Sequence, residues 1–173
     1  MIAPSVQDLE EVDEFLAELK TLGDPIPLWT PSTRPGELDA TWPVIDRAGL
    51  GRATLRFRCL SVDRTRPSVS VIFRDRPIWR VDIVDPRDCK PNPLAAAHLG
   101  LPATVCGSHS HGWSDNREIV ARSGFGRLPV RRPLGARMRR LPQALRWLAQ
   151  AATLRLTPEQ ADFDVPPQSA LFE

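Results

Sequence analysis

Residues 52–60 read Arg52-Ala53-Thr54-Leu55-Arg56-Phe57-Arg58-Cys59-Leu60, a clean alternation of polar and apolar side chains. A strand turns successive side chains to opposite faces, so this period of two predicts a half-buried strand. The runs at 68–74 (Ser-Val-Ser-Val-Ile-Phe-Arg) and 77–84 (Pro-Ile-Trp-Arg-Val-Asp-Ile-Val) are extended in the same way, and a further strand is expected at about 42–47. Arg74-Asp75-Arg76-Pro77 reads as a hairpin turn. Alternating runs separated by turn residues predict an antiparallel meander.

Helical patterns lie on either side of these strands. Ser5 is placed to cap a helix, with Asp8 three residues on. Val6, Leu9, Val12, Phe15, Leu16, Leu19 and Leu22 then recur at helical spacing as far as Gly23 and Pro25. A second amphipathic helix is expected over 141–154, carrying Leu145, Trp147, Leu148 and Leu154, and Thr157-Pro158-Glu159 reads as another helix start. Residues 103–111 predict one more strand. The fold class that follows is α+β: an antiparallel meander with an N-terminal helix and C-terminal helices. One domain is expected over 1–165, with an extended tail over 166–173.

The chain has 173 residues, 18 prolines and no tyrosine, with no apolar run near the ~20 residues that span a membrane. Without a signal-like start, the expectation is a cytoplasmic protein with no membrane partner. An odd count of 3 cysteines then predicts reduced thiols or metal ligands instead of a disulfide framework. The net charge of +2 conceals segregation. Residues 5–24 carry Asp8, Glu10, Glu11, Asp13, Glu14, Glu18 and Asp24 against Lys20, whereas residues 117–155 hold ten arginines against Glu118.

All three histidines and two of the three cysteines fall between Cys89 and His111. Imidazole and thiol are suited to proton transfer, nucleophilic attack and metal ligation near neutral pH. In an extended segment His109 and His111 share a face. Asp82 is placed to orient an imidazole or bind a metal, and Arg80 to hold a phosphate or an oxyanion. Three readings follow. The first is acid–base cleavage of a phosphodiester by His109 and His111, needing no cofactor. The second is a metal-dependent hydrolase, with zinc held by His109, His111 and a third ligand from Cys89, Asp82 or Asp115. The third is structural, with the histidines ordering a proline-rich loop. His98 reads as a packing or solvent residue, Cys59 as core, and Cys106 as either a nucleophile or a small buried thiol.

Arg131, Arg132, Arg137, Arg139 and Arg140 fall within ten residues, broken by Pro133 and Gly135. They form a cationic surface suited to a phosphate backbone, or one paired with the acidic N-terminal helix.

Arg80-Val81-Asp82-Ile83, Asn92-Pro93 and His109-Ser110-His111-Gly112-Trp113 together resemble a group of small uncharacterised bacterial proteins. That group has an R-[LV]-D strand, an H-x-N-P segment and an H-x-H motif followed by an aromatic. Here Cys89 lies near the position of the H-x-N-P histidine, with an extra residue before Asn92. The likeness implies a shared site without naming its chemistry. The order of helix, meander, Asn-Pro segment, cysteine and closing helices is also similar to the ubiquitin-conjugating-enzyme fold, which would make Cys106 a thioester-forming nucleophile. Lys90-Pro91-Asn92-Pro93 stands where that fold has His-Pro-Asn. Finally, Gln168-Ser169-Ala170-Leu171-Phe172 resembles the Q-x-x-L-F peptide that docks bacterial proteins onto the sliding clamp, implying a docking role for Gln168, Leu171 and Phe172. The combined expectation is a bacterial nucleic-acid-binding protein that cleaves RNA in preference to DNA. A non-enzymatic nucleic-acid or protein adaptor and a conjugating enzyme are the alternatives.

Overall fold

The chain begins with a helix, α1 (Val6–Ala17), closed at its start by the Ser5–Asp8 capping box. The structure is a computed structural model and describes residues 3–167. Helical spacing predicted a longer helix, to Leu22, but α1 ends at Ala17 and Lys20–Leu22 forms a strand, β1. Lys20 supplies the reason. Its ammonium donates to the carbonyls of Phe15, Leu16 and Glu18, satisfying acceptors left open at the helix end.

Short β2 (Thr30–Pro31) leads into the meander β3 (Glu37–Ile45), β4 (Ala53–Leu60), β5 (Ser68–Phe73) and β6 (Arg76–Asp82). The expected run at 42–47 thus starts five residues earlier, and the other three lie close to their predicted bounds. Phe73 pairs with Arg76 across a tight turn in which Arg74 and Asp75 both take positive φ, the backbone shape that matches strand twist. After β6 the chain forms β7 (Cys89–Pro91), a 3-10 helix (Leu94–Leu99) and β8 (Thr104–Cys106), then β9 (His109–His111). The single strand expected over 103–111 is therefore two. Gly107 interrupts it at φ +76, in the left-handed region, so β8 pairs with β7 in a small sheet while β9 joins the main one.

A helix that helical spacing did not predict, α2 (Trp113–Ser123), follows β9. Then come β10 (Arg132–Pro133), α3 (Leu141–Ala151), β11 (Leu154–Arg155) and α4 (Pro158–Ala161). The second predicted helix thus stops short of 154, and α4 starts at the expected Thr157 cap. In the main sheet the order is β10-β9-β6-β5-β4-β3-β1-β11, with β2 beside β3. Pairing is antiparallel except between β1 and β11. This is an α+β fold.

Strand alternation gives the sheet two different faces. One presents Trp42, Leu55, Phe57, Val69, Val71 and Val81 to Leu9, Val12 and Phe15 of α1 and Leu141, Leu145 and Leu148 of α3, forming one apolar core. Each such side chain contributes roughly 1.5–3 kcal/mol when fully buried. On the other face a register row runs Asp39, Arg58, Ser68, Asp82, His109 and Pro133 across six strands. The adjacent row runs Thr41, Arg56, Ser70, Arg80 and His111.

Candidate functional site

The two polar rows meet at β6 and β9. Asp82 lies opposite His109 and Arg80 opposite His111, so antiparallel register brings all four residues together. Both imidazoles are buried, with His109 4% and His111 1% exposed. Their Nε2 atoms lie 3.5 Å and 3.2 Å from the same carboxylate oxygen, Asp82 Oδ2. Arg80 closes the group, with its Nε 2.9 Å from Asp82 Oδ2 and its Nη2 2.8 Å from His111 Nε2. The Arg80 side chain is 44% exposed, so the site opens to solvent on its side.

Hydrogen-bond geometry assigns the proton on His109. Its Nδ1 lies 2.8 Å from the carbonyl of Gly107, an acceptor only, so Nδ1 donates. In the neutral ring Nε2 then carries a lone pair directed at Asp82. Burial pushes His109 below its ordinary pKa, outweighing the Gly107 carbonyl and Asp82, while the charges of His111 and Arg131 lower it further. The Asp82 carboxyl is opposed by its own burial, yet it titrates below the usual carboxylate range because of the His111 hydrogen bond and the Arg80, His111 and His109 charges. His111 Nε2 cannot both accept from Arg80 and donate to Asp82. If it accepts, its proton sits on Nδ1, which is buried and has no partner among the described residues.

Asp82, His109 and His111 each offer one ligand atom, and these three atoms lie within 4.8 Å of one another. Two imidazoles and a carboxylate form a donor set suited to a divalent metal.

Cys89 takes no part in this group. It is bonded to Cys106 in a disulfide, which corrects both the expectation of reduced thiols and the inclusion of Cys89 among metal ligands. The reason is register: Cys89 and Cys106 are directly opposed in the β7–β8 pair, a proximity that sequence separation hides. The bond also leaves no free thiol on Cys106, where the conjugating-enzyme likeness requires a nucleophile. Cys59 is free and buried, as expected of a core residue, and burial pushes its thiol up to about 11. Asp115 is held by Arg132 through two hydrogen bonds and is not part of the triad.

Of the five clustered arginines, Arg131 comes closest to the site electrostatically. Burial and the Arg80 charge lower its pKa, and Asp82 opposes them. Arg131 donates to the carbonyls of Pro91 and Pro129, while its Nε is buried and lacks a partner among the described residues. Asn92, from the Asn-Pro segment, fixes it by accepting from the Arg131 amide and donating to its carbonyl. Arg132 pairs with Asp115 and Arg140 with Asp164, whereas Arg137 and Arg139 have no carboxylate partner among the described residues. The acidic helix pairs elsewhere: Asp8 with Arg76, Glu11 with Arg74 and Asp13 with Arg117. His98 is exposed beside Glu118, away from the triad. Gln168, Leu171 and Phe172 lie outside the described residues.

Sequence reading missed two contributions to the site. Gly107 sets the His109 tautomer through its carbonyl, and the signal was a glycine two residues before the histidine. The sequence alone places Arg131 in a basic patch, and its approach to Arg80 arises only when β10 pairs with β9. The chain matches no protein-family model, no curated protein and no solved structure.

Proposed function

We propose that this protein is a divalent-metal-dependent hydrolase of phosphodiesters, with Asp82, His109 and His111 as ligands and Arg80 and Arg131 as phosphate-binding groups. One observation carries the reading: His109, His111 and Asp82 each bring one ligand atom into a group that lies within 4.8 Å, with the Arg80 guanidinium beside it. With both Nε2 atoms unprotonated, a cation at this convergence offsets the repulsion between the nitrogen lone pairs and the carboxylate. Both rings are buried and aim Nε2 at one oxygen, so neither is presented to a substrate hydroxyl. This geometry favours metal assistance over the metal-independent pair of general acid and base.

A cation held here would lower the pKa of bound water to about 7 and polarise a phosphoryl oxygen. Arg80, on the open side, and Arg131 supply the positive charge that a phosphodiester requires. Because a metal-activated water needs no 2′-hydroxyl, a preference for RNA over DNA no longer follows. Arg137 and Arg139 remain candidates for contacts to a nucleic-acid backbone.

The test is metal content and turnover together. The purified protein should hold close to one zinc or another divalent ion per chain. Cleavage of a fluorescent oligonucleotide should cease with chelator and return on adding metal. His111→Gln should weaken metal affinity at least ~100-fold without unfolding the protein, since even partners behind a ligand are worth 10–100-fold. Cleavage that survives chelation would overturn the metal assignment. Salt-sensitive binding without turnover in metal-loaded protein would leave a binding module in place of an enzyme.

A further inference from the structure

We infer that the Cys89–Cys106 disulfide is a redox latch on the metal site, setting its affinity through Gly107 and His109; this rests on the metal reading above. The bond joins the two strands of the small β7–β8 sheet, and both cysteines are exposed. Cys106 also lines an open cleft of about 540 Å³ beside Pro86, Gly107, Ser108 and Arg139. Exposed disulfides are the ones that exchange, whereas buried ones are inert. Cys59, the remaining thiol, is buried and does not compete.

The path from the bond to the site is three residues long. Cys106 precedes Gly107, whose amide donates to Asp88 next to Cys89 and whose carbonyl receives His109 Nδ1–H. Gly107 also sits at φ +76, with the Pro86 backbone 3.3 Å from where a Cβ would be. On the far side Ser108 is pinned independently, accepting from the Val84 and Leu134 amides and donating to the Met138 carbonyl. Gly107 is therefore held on one side by a fixed Ser108 and on the other by its amide bond to Asp88, within the strand pair that the disulfide cross-links. When a dithiol reduces the bond, the S–S bond breaks and two electrons and two protons yield two thiols as the dithiol becomes a disulfide. Without the cross-link the β7–β8 pair and its Asp88–Gly107 bond open more readily, and His109 then loses the acceptor that holds its Nε2 toward Asp82.

The experiment compares the full chain oxidised and after a phosphine reductant, with Cys89→Ser/Cys106→Ser as a permanently open form. Cobalt(II) affinity, read by absorbance, should fall about 10- to 100-fold on reduction, the usual effect of losing a partner behind a metal-bound histidine. By linkage, metal should lower the potential of the disulfide by about 30 mV for each tenfold difference. The nitrogen spectrum of His109 in metal-free protein should change from one tautomer to a mixture. Equal cobalt affinity with an unchanged tautomer would overturn the latch. Global unfolding on reduction would also overturn it, since the bond would then be a staple of the fold. If neither form binds metal, the functional reading fails and the latch fails with it, whereas equal cobalt affinity in both forms overturns the latch alone.

Discussion

Arg56 and Phe57 are neighbours in β4, yet they belong to two different environments. Phe57 is fully buried, within ring-packing distance of Trp42 and Phe163. Arg56 lies on the opposite face, exposed and paired with Asp39. The same division holds across the sheet, where the Val69 and Val81 row faces the helices and the Ser68, Asp82 and His109 row faces away. One alternating pattern thus gives stability to one face and leaves the other to ionisable chemistry. Asp82 and the two histidines can be arranged for a ligand because the core does not depend on them.

Phe57→Ala should cost about 3–5 kcal/mol in denaturant unfolding, as large aromatic truncations in a core do. The fraction that remains folded should bind metal with unchanged affinity. If the site weakened in proportion, the two faces would not be separable. A smaller effect is expected from Lys20, a charge on the covered side. Burial pushes its pKa from 10.5 down to about 8, against the charge of Glu18. Between those values the unfolded chain holds a proton that the folded chain has released, so stability should rise with pH from about 8 to 10.5. Urea midpoints across that window should show the rise, and Lys20→Met should flatten it. The smallest effect belongs to Arg56→Ala, which removes a surface ion pair worth about 0.5 kcal/mol. A loss near that of Phe57→Ala would abolish the distinction between the faces.

The same alternation explains what could be read from sequence alone. β4, β5 and β6 declared themselves because each strand has one wet and one dry face. α2 did not, because its buried positions include Asp115 and Asn116 beside Trp113 and Val120, which blurs an apolar stripe. Asn116 is buried because it bonds the Gly112 and Val130 carbonyls and the Val130 amide. The apolar spacing overruns the end of α1 because Leu19 and Leu22 continue it, while the group that stops the helix is the Lys20 ammonium. At the site, Asp82, Arg80 and the His-x-His pair followed from strand period and from type of side chain. The disulfide did not, because it depends on which strands pair, and Cys89 and Cys106 stand 17 residues apart.

The two ends of the main sheet bear on how these molecules behave in a crowd. Its eight-strand path finishes on β10 at one side and β11 at the other, each two residues long, with Pro133 in β10 lacking an amide hydrogen. A long bare edge would invite a neighbouring chain to add its own strand and propagate an aggregate. Here an incoming strand finds too few free amides and carbonyls to hold its register. The meander can therefore carry a wide polar face without recruiting its copies edge to edge.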